Sequence, residues 1–432
     1  MADANLKFAS PASRKRSGME SIMSENLDQT YFLPVIGWHE PVIAYGKGSY
    51  VYDSEGRAYL DLNSGQFCTV LGHGDDKLAE RLTENAARIA HTNTGMLCEE
   101  AIEAARNLNR ISGELDGYSI FLSTGAEAVE FCIRYAKFLK HKSGLICFNK
   151  GYHGLTLGAQ SITYGGVYTK PEVGYIYPVT VPDTFASKEE IKSAVAEFEA
   201  VLGANSDNIA AAVMEPIVSV GGMIIPDAAY FREIRRLCDK YDIMLIFDEC
   251  QTGYARTGEW FGYQTLGCIP DMIACAKAIG LGYPVSLAMM AGRYAKNGSF
   301  AMTHYSSHQN DGFAAAVINY GIETIENENL LVKVKEKGKY FLEKLRELDK
   351  DENTGLIRAR GCGLMLGADL DMPGVSDYRE YYAELSKRAV QNGVIIQGTN
   401  GGRTLRFLPD YRIEYSDIDL CVDVLRKLLK KC

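Results

Sequence analysis

The chain contains 432 residues, of which 47% are hydrophobic and 23% are charged, and its formal net charge at pH 7 is −9. Its length and ordinary apolar content allow one large core and a second, smaller domain, while the negative charge and the lack of a basic stripe argue against nucleic acid as the main partner. No apolar run is long enough to cross a bilayer, and eleven scattered cysteines without a C-x-x-C pair favour reduced thiols in a cytoplasmic protein over a disulfide framework or a zinc site.

The N-terminal stretch is polar and carries a basic cluster at Arg14–Arg16. Because no apolar segment follows, we predict a disordered tail there and not a secretory signal. The stretch Ser49–Gly65 (SYVYDSEGRAYLDLNSG) predicts two short strands around an acidic-glycine turn. From Ser119 onward, apolar strand-like runs alternate with amphipathic helical stretches. This alternation predicts a mostly parallel sheet that is covered by helices on both faces.

The alternation ends near residue 325, where a long charged helical stretch leads into several short strands and a last helix. We therefore predict an α/β chain in three parts. Residues 66–325 form a large domain, residues 326–432 form a smaller α+β domain, and residues 1–65 are a tail and a segment that joins the smaller domain.

Residues with unusual side chains or turns follow the predicted strands of the large domain. Gly125, the pair Tyr152 and His153, Glu215, and Asp248 each come after an apolar run, and parallel sheets bind ligands at the carboxyl ends of their strands. Asp248 is informative because an ionised carboxylate at the end of a buried strand is costly to desolvate unless it meets a cation. That cation could be a protein side chain, a metal or a cofactor nitrogen.

Three further features each have an ordinary structural explanation when taken alone. Lys277 precedes a glycine-rich loop and is either a nucleophilic amine or a lysine that extends from a strand edge to water. The turn STGAEA offers either helix N–H groups to a phosphate or a simple N-cap, and Tyr152 offers either a stacking ring or packing. Together with Asp248, these features match what pyridoxal 5'-phosphate requires: a Schiff-base lysine, a phosphate site, a stacking surface and a carboxylate at the pyridinium nitrogen.

From about Glu40 to its C-terminus, the chain resembles the class III aminotransferases, which are fold type I pyridoxal-phosphate enzymes. The motifs that carry the resemblance stand in the family's order and approximate spacing: STGAEA, YHG, MEPI, FDECQTGYARTG, PDMIACAKAIGLGYP and LRFLP. The resemblance implies that Lys277 forms the internal aldimine and that Asp248 pairs with the pyridinium nitrogen. It also implies that Gly125 and Ala126 supply backbone amides to the phosphate, that Tyr152 stacks on the ring and that Gln251 contacts the phenolate oxygen. Two more cofactor-binding residues are implied, namely Thr124 and Glu215.

The resemblance also assigns residues to the substrate and to a second subunit. Arg406 matches the arginine that grips the substrate α-carboxylate, for which its planar fork is well suited. Ser307, in YSSHQND, matches a position that usually holds threonine and that reaches the phosphate from the neighbouring subunit. The resemblance therefore implies a homodimer with shared active sites.

Within the family, DLNSGQFCTVLGHG, FLSTGAEA and YSSHQNDGFAAAV look most similar to dialkylglycine decarboxylase. Gln66 falls where that enzyme has a glutamine that binds the departing carboxylate. Three residues fall near its alkali-cation site, namely Thr94, Ser307 and Asp311. The chain departs from that enzyme at Ser307, at Tyr152, where tryptophan is usual, and at Val220, which replaces a serine.

Val220 also falls where ornithine-type and γ-aminobutyrate-type members carry a glutamate that shields the arginine, which argues against those substrate classes. We predict an aminotransferase that moves an amino group from an amino acid or amine to a 2-oxo acid. The runner-up is a 2,2-dialkylglycine decarboxylase, and the choice depends on which Cα bond stands perpendicular to the cofactor ring.

A racemase and an inactive binding protein also stay open on the sequence alone. A racemase or epimerase would need a second proton donor on the opposite face of the ring, and the sequence does not reveal one. A catalytically inactive binding protein could share the fold, although the joint presence of Lys277, Asp248 and Arg406 argues against it.

Overall fold

The computed structural model describes residues 40–89, 91–165, 173–296 and 304–431. The tail with Arg14–Arg16 lies outside these residues. The chain divides between Ile43 and Ala44 into two units, and the architecture below is that of the second unit, Ala44–Cys432. None of the helices in the described ranges is both long and apolar enough to cross a membrane.

Fifteen strands occur in the described residues. In chain order they are β1 (Ile43–Lys47), β2 (Tyr50–Asp53), β3 (Ala58–Asp61), β4 (Tyr118–Leu122), β5 (Gly144–Phe148), β6 (Ile176–Val179), β7 (Ile209–Met214), β8 (Met244–Asp248), β9 (Met272–Cys275), β10 (Ser286–Met290), β11 (Leu356–Cys362), β12 (Met365–Leu370), β13 (Val394–Ile395), β14 (Gln397–Thr399) and β15 (Thr404–Phe407).

Thirteen α-helical segments separate or flank these strands in the described residues. They are α1 (Ser64–Phe67), α2 (Asp76–Arg88), α3 (Glu99–Ile111), α4 (Gly125–Lys140), α5 (Leu157–Ser161), α6 (Lys188–Asn205), α7 (Ala228–Lys240), α8 (Tyr263–Leu266), α9 (Gly292–Ala295), α10 (Gly312–Asn327), α11 (Leu330–Lys350), α12 (Tyr378–Gln391) and α13 (Tyr415–Leu428). Short 3-10 turns cover Gly113–Leu115 and Lys277–Gly280.

A seven-stranded sheet forms the centre of the molecule, in the order β4-β10-β9-β8-β7-β5-β6. Its strands are parallel except β10, which runs antiparallel to both of its neighbours, β4 and β9. The predicted α/β class with a mostly parallel sheet is therefore confirmed. The parallel order brings the carboxyl ends of β5, β7, β8 and β9 to one edge of the sheet, where polar residues follow each strand.

Helices cover both faces of this sheet because its strands are apolar on both sides. Successive side chains of a strand point to opposite faces. In β8, accordingly, Met244 and Ile246 pack with α4 on one face, whereas Leu245 and Phe247 pack with α7 on the other. The strand is buried along its whole length, and this burial is what makes the polar residues at its end costly unless they are partnered.

Two smaller four-stranded sheets complete the fold, in the orders β1-β2-β3-β13 and β11-β12-β15-β14. Leu60 of β3 pairs in parallel with Val394 of β13, so an early segment of the chain shares a sheet with a late one. The division of the chain into three parts stays a prediction. The described cysteines are free thiols, and most of them are buried.

Candidate active site

A cavity of about 760 Å³ lies where the strands of the central sheet end. Its wall combines residues that are far apart in the sequence but follow neighbouring strands. Among its lining residues are Gln66, Phe67, Gly125, Ala126, Tyr152, His153, Val220, Asp248, Gln251, Lys277, Tyr283 and Arg406. Most of the predicted site residues are thus brought together at one place.

Asp248 ends β8 and is paired with a histidine. Its Oδ2 accepts a hydrogen bond from His153 Nδ1 at 2.8 Å, and its Oδ1 accepts one from the backbone N–H of Cys250 at 3.0 Å. Burial would raise the pKa of the Asp248 carboxyl, but the hydrogen bond and charge of His153 hold that pKa below its ordinary value. Burial would likewise lower the pKa of His153, and the carboxylate outweighs it, so that pKa is raised. The site therefore holds an ionised carboxylate with a proton on His153 Nδ1.

Glu249, the next residue, faces the protein rather than the cavity. Its carboxyl accepts hydrogen bonds from the backbone N–H groups of Gly262 at 2.8 Å and Tyr263 at 2.7 Å, and from the Thr252 hydroxyl. Burial raises the pKa of Glu249 to about 7. The acid pair thus divides into one residue that faces the cavity and one that anchors the loop after β8.

Glu215 follows β7 and connects two parts of the cavity wall. One carboxyl oxygen accepts from the backbone N–H of Tyr152 at 2.9 Å, and the other accepts from the backbone N–H of Ser219 at 3.3 Å. Burial raises the pKa of Glu215 to about 7, with the Asp248 charge acting in the same direction and His153 against it. Glu215 is 4% exposed and is not one of the residues that line the cavity. Its influence on a ligand would therefore pass through Tyr152 and Ser219.

Lys277 lies two residues beyond β9, at the start of a 3-10 turn. Its φ of 50° is in the left-handed region, which non-glycine residues adopt at a cost and mostly where the surroundings impose it. Among the described residues, none forms a hydrogen bond or ion pair with the Lys277 ammonium group that would hold it against the protein. The side chain lines the cavity that Asp248 also lines.

The turn between β4 and α4 forms another part of the wall. Thr124 caps the helix, since its hydroxyl accepts from the backbone N–H of Glu127 at 3.3 Å. Gly125 and Ala126 begin this 16-residue helix and line the cavity. A Cβ at Gly125 would lie only 2.9 Å from the sulfur of Cys250, so the backbone here packs closer than any side chain would allow. The helix start presents N–H groups and a positive dipole end to the cavity, which favours an anion.

Arg406 comes from β15 and is held by neutral oxygens. Nη1 donates to the Ser219 hydroxyl at 3.0 Å, and Nη2 donates to the Gln397 side-chain oxygen at 2.8 Å. The guanidinium carbon lies 4.8 Å from the centre of the Phe67 ring. Arg406 is 5% exposed, and burial lowers its pKa to about 10, so it remains a cation at neutral pH.

A strained segment carries Gln66 and Phe67 into the cavity. Ser64 and Phe67 have positive φ values of 42° and 66°, and Gly65 has φ 68° with ψ −116°. Such backbone conformations persist only where the surroundings impose them. Here Asp61 accepts from the backbone N–H of Gly65 at 2.6 Å and holds the turn.

Comparison with known proteins gives one family. The family model for class III aminotransferases matches residues 38–429. An acetylornithine aminotransferase of Methanosarcina mazei is 31% identical over 412 residues, covering 95% of this chain and 97% of the relative.

The chain belongs to the class III aminotransferases.

Solved structures agree with this membership. An aminotransferase of Bacillus anthracis superimposes with a TM-score of 0.85 at 25% identity, covering 96% of this chain and 99% of that one. An amine transaminase from an uncultivated Pseudomonas species, solved in its PLP-bound form, gives a TM-score of 0.85 at 23% identity over 94% of this chain and 99% of that one. This aminotransferase depends on pyridoxal 5'-phosphate, has the fold of the type I enzymes and transfers an amino group from a donor to a 2-oxo acid.

The cavity of this aminotransferase fits that cofactor. Gln251 Oε1 and His153 Nε2 are buried and have no hydrogen-bond partner among the described residues, as expected of polar groups that meet a ligand. The N–H groups at Gly125 and Ala126 suit a phosphate, and the ionised Asp248 suits a ring cation. The predicted roles of these individual residues remain proposals.

Five of the predicted residues do not line the cavity of this chain, namely Glu215 and four others. Thr124 is exposed and caps α4, and Ser307 is exposed as well. Thr94 is partly buried in the loop before α3, whereas Asp311 is buried and caps α10. If Ser307 contacts a phosphate, that phosphate would have to be bound in the active site of another subunit.

Several residues of the site received no role from the sequence. They are His153, Ser219, Gln397 and Phe67. The sequence placed His153 beside Tyr152 at the end of a strand but gave it no role. Ser219 and Gln397 carried no such signal, because their importance comes from their contacts with Arg406. Gln397 is the cross-strand neighbour of Arg406 in β14, and Ser219 reaches it from the loop after β7.

Proposed function

We propose that Lys277 carries the cofactor and that Arg406 binds the α-carboxylate of an amino-acid donor and then of the 2-oxo acid acceptor. One observation supports this most strongly: Arg406 is a buried cation on the cavity wall whose hydrogen bonds go to the neutral oxygens of Ser219 and Gln397. A desolvated cation with neutral partners gains most from an anionic ligand, and the guanidinium fork fits a carboxylate.

The remaining residues divide the work on the cofactor and the donor. When bound, pyridoxal 5'-phosphate supplies an electron sink for the bonds at the donor Cα. Asp248, kept ionised by His153, would pair with the ring nitrogen of the bound cofactor and keep that nitrogen protonated. Lys277 Nζ would take the proton from the donor Cα and return it to the C4' carbon of the cofactor. Tyr152, fixed through its backbone by Glu215, would cover one side of the bound cofactor and exclude water.

The side chain of the donor is proposed from the rest of the wall. Leu155 and Val220 are apolar, and Gln66 offers an uncharged amide. We therefore rank amino acids with an uncharged polar side chain above those with a second charge as donors.

The test separates carboxylate binding from chemistry. Donors are screened with pyruvate and with 2-oxoglutarate, and each amino acid donor is paired with the corresponding amine that lacks the carboxylate. In the donor half-reaction of Arg406→Ala, measured without acceptor, KM for the amino acids should rise about 100-fold or more, a loss typical of a truncated charged hydrogen bond, while KM for the amines should change little. Arg406→Lys keeps the charge but loses the guanidinium fork. Its KM for the amino acids should therefore lie between the values of the wild type and of Arg406→Ala.

Two results would contradict the proposal. Equal losses for amino acids and amines would mean that Arg406 does not bind the carboxylate. Carbon dioxide released from 2-aminoisobutyrate and pyruvate as fast as the best donor is converted would favour a decarboxylase, with Gln66 holding the departing carboxylate.

A further inference from the structure

Two histidines converge on one carboxylate oxygen at the start of α10. Asp311 Oδ2 lies 2.8 Å from His91 Nδ1 and 3.1 Å from His308 Nδ1. The two imidazole rings are 4.7 Å apart between centroids. The three ligand atoms all lie within 4.8 Å of one another. Residues from two separate loops thus present a nitrogen, a nitrogen and an oxygen to one small volume.

The carboxylate at the centre of this cluster is fixed in place. Asp311 is 7% exposed, and its second oxygen accepts from the backbone N–H of Phe313 at 2.8 Å, so the residue also caps α10. His91 and His308 are more exposed, with 42% and 66% of their side chains accessible. In a single subunit a small solute can therefore reach the cluster, and the buried carboxylate would give a metal ion a rigid ligand.

We propose that His91, His308 and Asp311 bind a divalent transition-metal ion such as Zn²⁺, with water completing its coordination. With bonds of about 2.1 Å, adjacent ligands of such an ion lie about 3.0–3.4 Å apart, so the observed distances to Asp311 need only small adjustments. Two imidazoles and one carboxylate are typical ligands of Zn²⁺, Co²⁺ and Ni²⁺.

This ligand set differs from the alkali-cation site that the sequence suggested at Thr94, Ser307 and Asp311. Alkali and alkaline-earth cations prefer oxygen ligands, whereas imidazole nitrogen favours first-row transition metals. Both rings present Nδ1 to the carboxylate. Binding moves the ring proton of each neutral imidazole from Nδ1 to the exposed Nε2, so that the Nδ1 lone pairs reach the ion without net proton release.

The cluster is linked to the wall of the active-site cavity through a residue that is close to Asp311 in the sequence. Phe313, two residues beyond Asp311, stacks on Tyr283 with ring centroids 6.2 Å apart, and Tyr283 lines the cavity. His308 is adjacent to Ser307. An ion here would join the loop of His91 to the turn of His308 and brace the helix start that supports Tyr283.

The experiment measures binding on the full-length holoenzyme and does not depend on turnover, so it can succeed or fail independently of the proposed function. Zn²⁺ binding is followed by calorimetry, and Co²⁺ binding by its visible spectrum. We expect one ion per chain, with affinity reduced at least about 100-fold in the double variant His91→Ala/His308→Ala. Asp311→Asn, which can still cap α10, should also weaken binding.

Two controls make the outcome decisive. His141→Asn removes an exposed histidine at the left-handed C-cap of α4, a conformation that asparagine tolerates, and it should bind as the wild type does. Cys98→Ser tests the thiol, which lies near Gly312, and should leave the Co²⁺ spectrum unchanged.

The proposal is overturned if wild-type protein binds neither ion. It is equally overturned if the double histidine variant binds as tightly as wild type. A Co²⁺–thiolate band that is present in the wild type and absent in Cys98→Ser would also overturn it.

Discussion

Asp248 and Glu249 follow the same buried strand, yet their carboxyls meet different partners. Asp248 faces the cavity and His153, whereas Glu249 accepts two backbone hydrogen bonds from the loop at Gly262 and Tyr263. Replacing each carboxyl by an amide should therefore have different consequences. The change at Asp248 should affect catalysis, and the change at Glu249 should affect folding.

For Asp248→Asn we expect a folded protein with a much lower rate. A neutral amide cannot keep a ring nitrogen protonated, so the cofactor loses its capacity as an electron sink. Single-turnover absorbance with a saturating donor should show a loss well above tenfold, which corresponds to about 1.4 kcal/mol of barrier. A smaller loss would mean that Asp248 does not pair with the ring nitrogen.

Glu249→Gln should cost about 1–3 kcal/mol in the free energy of unfolding with little change in the turnover of the folded enzyme. The amide presents an N–H group where the native oxygen accepts from a buried backbone N–H, which leaves that donor unsatisfied. Denaturant unfolding and kcat measured on the same preparation separate the two effects. A large fall in kcat without loss of stability would contradict this assignment.

The raised pKa of Glu249 also predicts a dependence of stability on pH. Because the folded-state pKa of about 7 lies above the ordinary value of 4.5, the contribution of the neutral carboxyl is fully present below the lower value and is lost as pH rises through the higher one. Between about pH 5 and pH 8, the wild type should lose more unfolding free energy than Glu249→Gln. Identical slopes would mean that Glu249 stays ionised throughout.

At this scale the sequence predicted well wherever a residue's chemistry conflicted with its surroundings. An acid at the end of an apolar run required a cation, so Asp248 could be placed in a site. Ser219 and Gln397 are ordinary polar residues on their own elements. Gln397 contacts Arg406 across the β14–β15 pair, Ser219 contacts it from the loop after β7, and no local pattern encodes either contact.

Among the elements, the short segment α1 is the most strained part of the cavity wall. Gly65 adopts φ 68° and ψ −116°, a conformation that is open to glycine alone, and it sets the direction of Gln66 and Phe67. A Cβ there would meet nothing closer than 3.6 Å, so any effect of a substitution comes from the backbone.

We expect Gly65→Ala to cost about 1–3 kcal/mol of strain and to raise KM for amino-acid donors, because Phe67 would no longer lie under Arg406. The matched control is Gly56→Ala, at an exposed turn with φ 81° and free space around the added Cβ. It should lose some stability but keep KM unchanged. If both variants behave alike, the conformation at Gly65 does not position the cavity wall.

The alternation of strands and helices along the chain was predictable because its apolar runs are bounded by clear helical periods. The direction of β10 was not. Periodicity shows which residues are buried but carries no information on whether a strand runs parallel or antiparallel, and that choice depends on the turn that begins at Lys277.

For the whole molecule, the exposed position of Ser307 fits a homodimer in which each subunit completes the phosphate site of the other. We predict that Ser307→Asp weakens cofactor binding by repelling the phosphate. Mixing this variant with Lys277→Ala should restore tight binding in half of the sites of the mixed dimers, since one site then has both native residues. Sedimentation of an active monomer, or no recovery on mixing, would remove the shared site.

The pairing of β3 with β13 joins an early segment of the chain to a late one. The predicted division of the chain placed an early segment with the smaller domain. The register of Leu60 with Val394 depends on packing over more than 300 residues, which local propensity cannot specify.

The central claim is that Lys277 carries the cofactor, and one measurement tests it directly. The holoenzyme is reduced with borohydride, which makes the bond between lysine and cofactor permanent, and digested peptides are analysed by mass. We expect the cofactor on the peptide that contains Lys277, and none on the protein when Lys277→Ala is treated in the same way. Cofactor attached to any other lysine, or a Lys277→Ala variant with near-normal turnover, would contradict the account.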